Sequence, residues 1–500
     1  EIKPGYEKQL TLLGDHLKTY REKPTPELAD AISKAVRWLE STRQAPQLVS
    51  ALEERFGQPN LLAEASAEVV NAGLAEPVDE TGPVEDCILG TAICGTGHTV
   101  GGTRAVLTDG DGYGTVDDLL LSKTYTDTIG YHGPVRIYAT GVTRIGAVKR
   151  LWVNAEGVFT HPAMSNAVTS TSINDIQSRR GRCLVERFAW RKAMKQLDTA
   201  EWIAARHAED RANRRIDSQA VENLAQANDK YQQKFRRPLV EHKLFPDVFH
   251  VSSDSRAIRI KSLLRGATLL AAVQPPPKPV PGDLVLCVHE SMINNFAQDA
   301  LGGMIVHEDR FQKSVIDLFG ELPKKMKTEE KEEPWVITFA EDQPIFVRFD
   351  DDRFSVTIRG NRYQRGDKSV DRMAVTAHYT IQKTESGFEA VRDKNLEIVP
   401  KEYGLRKGPA REVFINRFEK IFDEKISGEG FTLQGRWKKA GKFLPLQFTC
   451  RDGWLVLAWK RVPLPNQETS PEASPRIASE PKSPAKQSTD PIPPAALAER

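Results

Sequence analysis

The stretch VRIYATGVTRIGAVKRLWVN, residues 135 to 154, decides the fold class. Val135, Ile137, Ala139, Ile145, Ala147, Leu151 and Val153 hold one phase, while Arg136, Thr140, Arg144, Arg150 and Asn154 hold the other. A period of two is the mark of a half-buried antiparallel strand, because successive side chains point to opposite faces and only one face is packed. The same pattern returns later. Phe354, Val356 and Ile358 alternate with Ser355, Thr357 and Arg359, and Met373, Val375, Ala377, Tyr379 and Ile381 alternate with polar or small neighbours. One β-rich block therefore begins near Ile88, and a second begins near Trp335. The second closes through residues 431–437, 444–450 and 454–459, with Arg451-Asp452-Gly453 as a tight hairpin turn.

Between the blocks the period changes to that of a helix. Ala204, Ala208, Ala212, Ile216, Ala220, Leu224, Ala227, Tyr231 and Phe235 recur at steps of three or four. This predicts one long helix over residues 182–237, or two broken near Asp217, with a small-residue stripe that packs closely on a partner. The segment before the first block predicts short helices. Pro26 follows Thr25 as cap, with Leu28, Ile32, Ala35, Val36 and Leu39 on one face; a second helix spans residues 46–56 and a third residues 61–73. Past Pro238 the reading is mixed, with strands at 249–251, 257–260 and 284–288 around the extended, proline-rich 274–279. A helix after His289-Glu290-Ser291 carries Met292, Ile293, Phe296, Ala300 and Leu301 on its apolar face and stops at Gly302. Another at 411–422 buries Val413, Phe414, Phe418, Ile421 and Phe422.

These readings combine into an α+β chain of two antiparallel β-rich domains linked by a long helix. The segments are a helical layer (1–78), the first β-rich domain (79–178), the long helix (179–237), a mixed α/β region with proline-rich and charged linkers (238–334), the second β-rich domain (335–462) and a disordered tail (463–500). Both blocks run from an Asp-rich turn through paired long strands to a proline, so a duplicated β unit is one reading of them. The tail offers no apolar surface to bury, and its removal is expected to leave the fold intact.

Composition bounds the function. A chain of 500 residues exceeds one ordinary core, and 39% apolar with 28% charged residues describes a mostly folded protein. The formal charge of +2 provides no global field for nucleic acid, and no apolar run is long enough to span a bilayer. Five cysteines, Cys87, Cys94, Cys183, Cys287 and Cys450, are too scattered for a disulfide framework or a zinc site. Cys87 and Cys94 would pair only in an exported chain. Residue 1 is Glu, so the expectation is that an N-terminal piece precedes it.

No motif specifies a reaction. The stretch 109–117 has calcium-loop oxygens at Asp109 and Asp111, yet Tyr113 stands at position five and Leu120 at position twelve, where a Glu belongs. A polar hairpin turn fits better, with no response to calcium. His289-Glu290 lacks a second His four residues on, Ser291 reads as a helix cap, and His307-Glu308-Asp309 fails in the same way. The glycines at 95, 97, 101 and 102 do not make a dinucleotide fingerprint and read as a turn or bulged strand. Arg179, Arg180, Arg182, Arg187, Arg191 and Lys192, interleaved with Phe188 and Trp190, would suit phosphate or lipid headgroups. However, Glu186, Asp198, Glu201, Glu209 and Asp210 offset them, which favours a solvated helix face. No catalytic, cofactor-binding or metal-binding residue is assigned.

The segments 43–49, 87–91, 133–138 and 283–295 (DLVLCVHESMINN) resemble an uncharacterised family of bacterial cell-envelope proteins. That resemblance implies an exported periplasmic or envelope protein with no assigned activity and no functional residues to carry over. The layout of two β units and a long helix is also similar to that of tubular lipid-binding proteins. Three functions follow in order: a non-enzymatic scaffold or partner-binding module, a carrier of an apolar or lipid ligand, and a hydrolase assembled from scattered His, Glu and Ser. A filled sheet would favour the first, bound lipid the second, and a pocket joining His289 or His307 to a carboxylate the third.

Overall fold

A computed structural model describes residues 2–22, 26–179, 183–266, 270–319, 334–385, 387–393, 395–399, 417–419 and 421–464. The tail from 465, the charged run 324–333, and Arg180 and Arg182 lie outside the described residues, as does most of the helix expected at 411–422. Among the described residues the fold is α+β with three antiparallel sheets and one long helix.

Helices α1 (Ile2–Glu22), α2 (Pro26–Ser41) and α3 (Pro46–Phe56) form the expected layer, with Leu13, Ile32, Val36, Leu39, Leu52 and Phe56 in its core. The third expected helix is only partly there. Leu61–Ser66 is strand β1, and α4 (Ala67–Leu74) begins after it, capped by the Ser66 hydroxyl. Six residues of mostly apolar sequence carry no period that separates strand from helix, and pairing with distant strands decides the outcome.

The first block consists of β2 (Pro77–Ile88), β3 (Thr91–Thr108), β4 (Gly110–Asp111), β5 (Gly114–His132), β6 (Val135–Asn154), β7 (Gly157–Thr160) and β8 (Met164–Ser178). All but β4 make one sheet in the order β2-β3-β5-β6, with β7 and β8 end to end along the far side of β6. Two-residue turns join β2 to β3 and β5 to β6. Leu89 and Gly90 both have positive φ, as a type I′ turn requires. The glycines of β3 are strand interior rather than a turn: a Cβ at Gly95 would lie 2.0 Å from Asp127 O, and one at Gly101 2.2 Å from Leu121 O.

The long helix α5 (Cys183–Tyr231) runs unbroken through Asp217 and folds back along β8. Among the described residues strand β8 pairs only with β6, so its outer N–H groups would be orphans without the helix. Side chains of α5 accept them. Glu186 takes Ser178 N (3.0 Å), Glu201 takes Thr171 N (2.6 Å), Glu209 takes Ala167 N (2.9 Å) and Asp217 takes Ala163 N (2.8 Å). Asn228 both accepts from and donates to Val158 of β7. The opposite edge reaches the same helix, with Asp86 of β2 binding His207 and Arg211, and Glu80 binding Arg215. One face of the sheet thus curls around α5, and the helix closes the gap between the two edges.

The alanine stripe has the right pitch but sits beside the contact line. Ala205 and Glu209 are buried against β8, whereas Ala204, Ala208 and Ala212, one residue earlier, are half-buried between the lines that meet β8 and β2. One residue is about 100° of helix rotation. Ala227 and Phe235, expected in the stripe, are exposed. Ala205→Leu should therefore overpack the β8 contact and cost about 1–3 kcal/mol in chemical denaturation. Ala208→Leu should cost less, and equal midpoints for all three proteins would refute the close contact.

Past α5 come a π-helical turn (Gln232–Arg236), α6 (Arg237–Glu241), β9 (Val248–Ser253), β10 (Ala257–Leu263) and β11 (Leu284–His289). Then follow α7 (Glu290–Leu301), β12 (Ile305–His307), α8 (Glu308–Phe319), β13 (Trp335–Phe339), β14 (Ile345–Asp350), β15 (Arg353–Arg365) and β16 (Lys368–Thr384). The chain ends through β17 (Gly387–Arg392), β18 (Glu397–Val399), β19 (Lys425–Gly428), β20 (Phe431–Thr432), β21 (Lys442–Arg451) and β22 (Trp454–Val462).

A further sheet joins the two blocks in the order β20-β21-β22-β11-β1-β10-β9-β4. Of the closing strands, which the sequence reading places in the second block, β22 pairs with β11, and β21 and β20 follow it outward in this sheet. The second block keeps β12-β13-β15-β16-β17-β19, with β14 on β15 and β18 on β16, around Tyr363, Met373, Val375, Tyr379, Phe418 and Phe422. Ile421, expected in that core, is 40% exposed.

Candidate functional site

The His289-Glu290-Ser291 segment lies where the helical layer, the joining sheet and the second block meet. There β11 ends and α7 begins beside β14. The His289 ring caps the helix: its Nδ1 accepts from Ser291 N (3.2 Å) and lies 2.9 Å from Ser291 Oγ. The cap is His289 rather than the expected Ser291. Because a backbone N–H can only donate, Nδ1 is the acceptor and the neutral ring carries its proton on Nε2. The Ser291 hydroxyl donates to His289 and accepts from Asn60 Nδ2 (3.1 Å). Burial against Trp454, edge to face at 5.0 Å, lowers the His289 pKa to about 3.

Asn60 is fully buried and pins the segment. Its amide donates to Leu264 O (2.8 Å) and accepts from Leu264 N (3.0 Å), and its carbonyl accepts from His289 N (2.9 Å). On α7, Glu290, Asn294 and Gln298 stand four residues apart on one face and replace the missing neighbour of edge strand β14. Glu290 accepts from Phe349 N, Asn294 both donates to and accepts from Val347, and Gln298 spans Glu341 O and Gln343 N. The expected apolar face is only partly inward: Ile293 and Leu301 pack, but Phe296 is exposed, while Asn295 is buried and holds Leu264 O and Leu270 O. The signal for this was present in two adjacent asparagines inside a helix, with Glu and Gln at matching four-residue steps.

A cavity of about 110 Å³ opens here between α2, α7 and β14, reaching Tyr20, Arg37, His289, Glu290 and Ser291. Burial, with the Glu290 charge nearby, raises the Tyr20 phenol to about 12. The cavity joins a His to a carboxylate, as the hydrolase reading asks, but the groups are committed elsewhere. Glu290 holds backbone, Ser291 has two partners, and a ring that protonates only near pH 3 is a poor base at neutral pH. The volume suits a few waters and falls well below the ~300 Å³ at which small-molecule pockets begin.

The remaining motifs disperse. Asp111 meets His250 (2.8 Å), and Asp117 makes a two-pronged pair with Arg150, so the calcium-loop carboxylates do not converge. Glu308 is buried and receives Arg417 and Trp335 N, while His307 is exposed. Cys87 and Cys94 are free and exposed, and Cys287 and Cys450 are free and buried. Arg187, Arg191 and Lys192 point to solvent, but Glu186, Glu201 and Glu209, read as offsetting them, face β8 instead. Among the described residues no three His, Cys, Asp or Glu side chains gather into a metal-binding group, and no helix is long and apolar enough to cross a membrane.

No family model and no curated protein matches the chain. It is similar to a solved structure described as a lipopolysaccharide binding protein, over 81% of this chain and 99% of that one, with 11% identity and a TM-score of 0.28. A score that low supports neither a shared fold nor a shared function.

Proposed function

We propose that this chain is a non-catalytic scaffold, exported as the envelope resemblance implies, whose first β block presents a surface to a partner. The observation that carries this reading is the lining of the sheet around α5. In the middle of the sheet, strand pairing puts Gly97, Thr99, Ser122, Thr124, Thr126, Gly141, Thr143, Thr169 and Thr171 on the face turned to the helix, with Ile145 beside Ser122 and with Ala139, Ile137 and Ala147 in the same phase of β6 on either side. Thr99 bonds Thr124 (2.9 Å), and Thr143 bonds Thr169 (3.0 Å). The middle of this face is thus mostly short and hydroxylic, and its apolar residues do not join into the broad apolar wall that a lipid carrier requires. Helix α5 occupies the trough where a ligand would lie. Organic extraction of the purified full chain, followed by mass spectrometry, should release only substoichiometric lipid. One lipid or more per chain would support the carrier instead.

A further inference from the structure

The sheet around α5 has one end joined to the rest of the molecule, through β4 and β9, and one free end. At the free end lie the turns at Leu89-Gly90 and Gly133-Pro134 and the first turns of α5, because Ala92 pairs with Tyr131, His132 with Val135 and Val135 with Ser178. Large apolar side chains collect there in the open: Leu89, Tyr131, Trp190, Met194, Phe188 at 70% exposure and Leu184 at 81%. On the helix, Leu184, Phe188, Arg191, Lys195 and Trp202 follow steps of four, three, four and seven, which is a single outward stripe.

The exposed charge on this part of the helix is positive, while Asp175 of β8 and Glu85 of β2 stand exposed further back on the sheet. Arg187, Arg191, Lys192 and Lys195 are exposed, and from Leu184 to Gln196 the helix has one carboxylate, Glu186, which is turned to Ser178 N. Aromatic and aliphatic side chains interleaved with cations fit a surface that is apolar beneath an anionic layer. We propose that this end docks on an anionic phospholipid bilayer, with Leu184 and Phe188 entering the headgroup region and the four cations meeting phosphate. The proposal rests on the scaffold reading and names the class of surface the scaffold holds.

Flotation of the full chain with vesicles of phosphatidylcholine alone, and of phosphatidylcholine mixed with phosphatidylglycerol, tests it. Binding should be confined to the anionic vesicles and should weaken as salt rises. Each surface cation contributes about a fivefold gain in partition, so Arg187→Glu, Arg191→Glu and Lys192→Glu together should reduce binding by about a hundredfold or more. Leu184→Ser with Phe188→Ser should also weaken it. Lys123→Glu with Arg144→Glu, on the outer face of the sheet, should leave it unchanged, and equal thermal midpoints establish that the variants fold. Equal binding to both vesicles, no binding, or binding that survives the triple reversal would overturn the assignment. So would a concentration-dependent dimer in light scattering that Phe188→Ser abolishes, since the occupant would then be a second copy. Stoichiometric lipid extracted from the triple variant would instead overturn the scaffold reading, which separates the two failures.

Discussion

Between about pH 6.5 and pH 4, the wild-type chain should lose stability faster than a His289→Asn variant, by about 1.4 kcal/mol for each pH unit. In the folded state, burial holds the His289 pKa near 3, so the ring stays neutral across this window. In the unfolded chain the same ring takes a proton near its ordinary pKa of about 6.5. The unfolded state therefore binds more protons, and stability falls as the pH falls. The effect is absent above the unfolded pKa and complete only below the folded one. At pH 5 the loss from this residue should be about 2 kcal/mol. Asparagine is a good helix cap and does not titrate, so His289→Asn keeps the Ser291 acceptor and removes only the proton linkage, at the cost of the Trp454 contact. Urea denaturation at a series of pH values, taken as the difference between the two proteins, gives the result. Parallel slopes would mean that the ring is solvated.

Asp217→Leu should be the most damaging single change on the long helix. The Asp217 carboxylate receives Lys149 Nζ at 2.6 Å and Ala163 N at 2.8 Å, and the Lys149 side chain is only 6% exposed. Removing the acid leaves a buried ammonium with the His161 carbonyl alone. Such breaks cost about 3–5 kcal/mol, and the partial exposure of Asp217 puts this one at the lower end, about 3 kcal/mol. Lys149→Met should cost less, and the double variant should be more stable than Asp217→Leu, since apolar groups of similar volume replace both charges. Strict additivity in chemical denaturation would show that the pair is uncoupled. Asp217 has a lowered pKa: desolvation acts to raise it, but the hydrogen bonds from Lys149 and Ala163 N outweigh that. Its contribution is thus present above the ordinary carboxylate range and is lost as the pH falls through the depressed folded value.

The parts of this fold that were legible in the sequence are those set by local period. Alternation located β6, β15 and β16, and steps of three and four located α5 with the correct pitch. The joining sheet was not legible, because β1, β11 and β22 come from residues near 61, 284 and 454, and nothing local says that they pair. The phase of α5 was missed because small residues mark a close approach without saying to what. The acids of α5 looked like ordinary solvated charges, and only a neighbouring strand edge turns Glu201 or Glu209 into a backbone acceptor. At the seam, the residue types of His289 and Ser291 draw the eye to chemistry, and nothing local in the sequence marks Asn60, which organises both.

The carboxylate line along α5 also ties two lengths together. From Glu186 to Glu201, Glu209, Asp217 and Asn228 the helix takes 15, 8, 8 and 11 steps, while from Ser178 to Thr171, Ala167, Ala163 and Val158 the chain takes 7, 4, 4 and 5. At about 1.5 Å per helical residue the first interval is about 22 Å, and at about 3.3 Å per strand residue it is about 23 Å, with the later intervals agreeing as closely. A single inserted residue in α5 would swing every later acid by about 100° and leave its N–H unmet. About four residues added to the helix, with two added to the strand, would restore the match, so viable length variants of this block should change both elements together in that ratio.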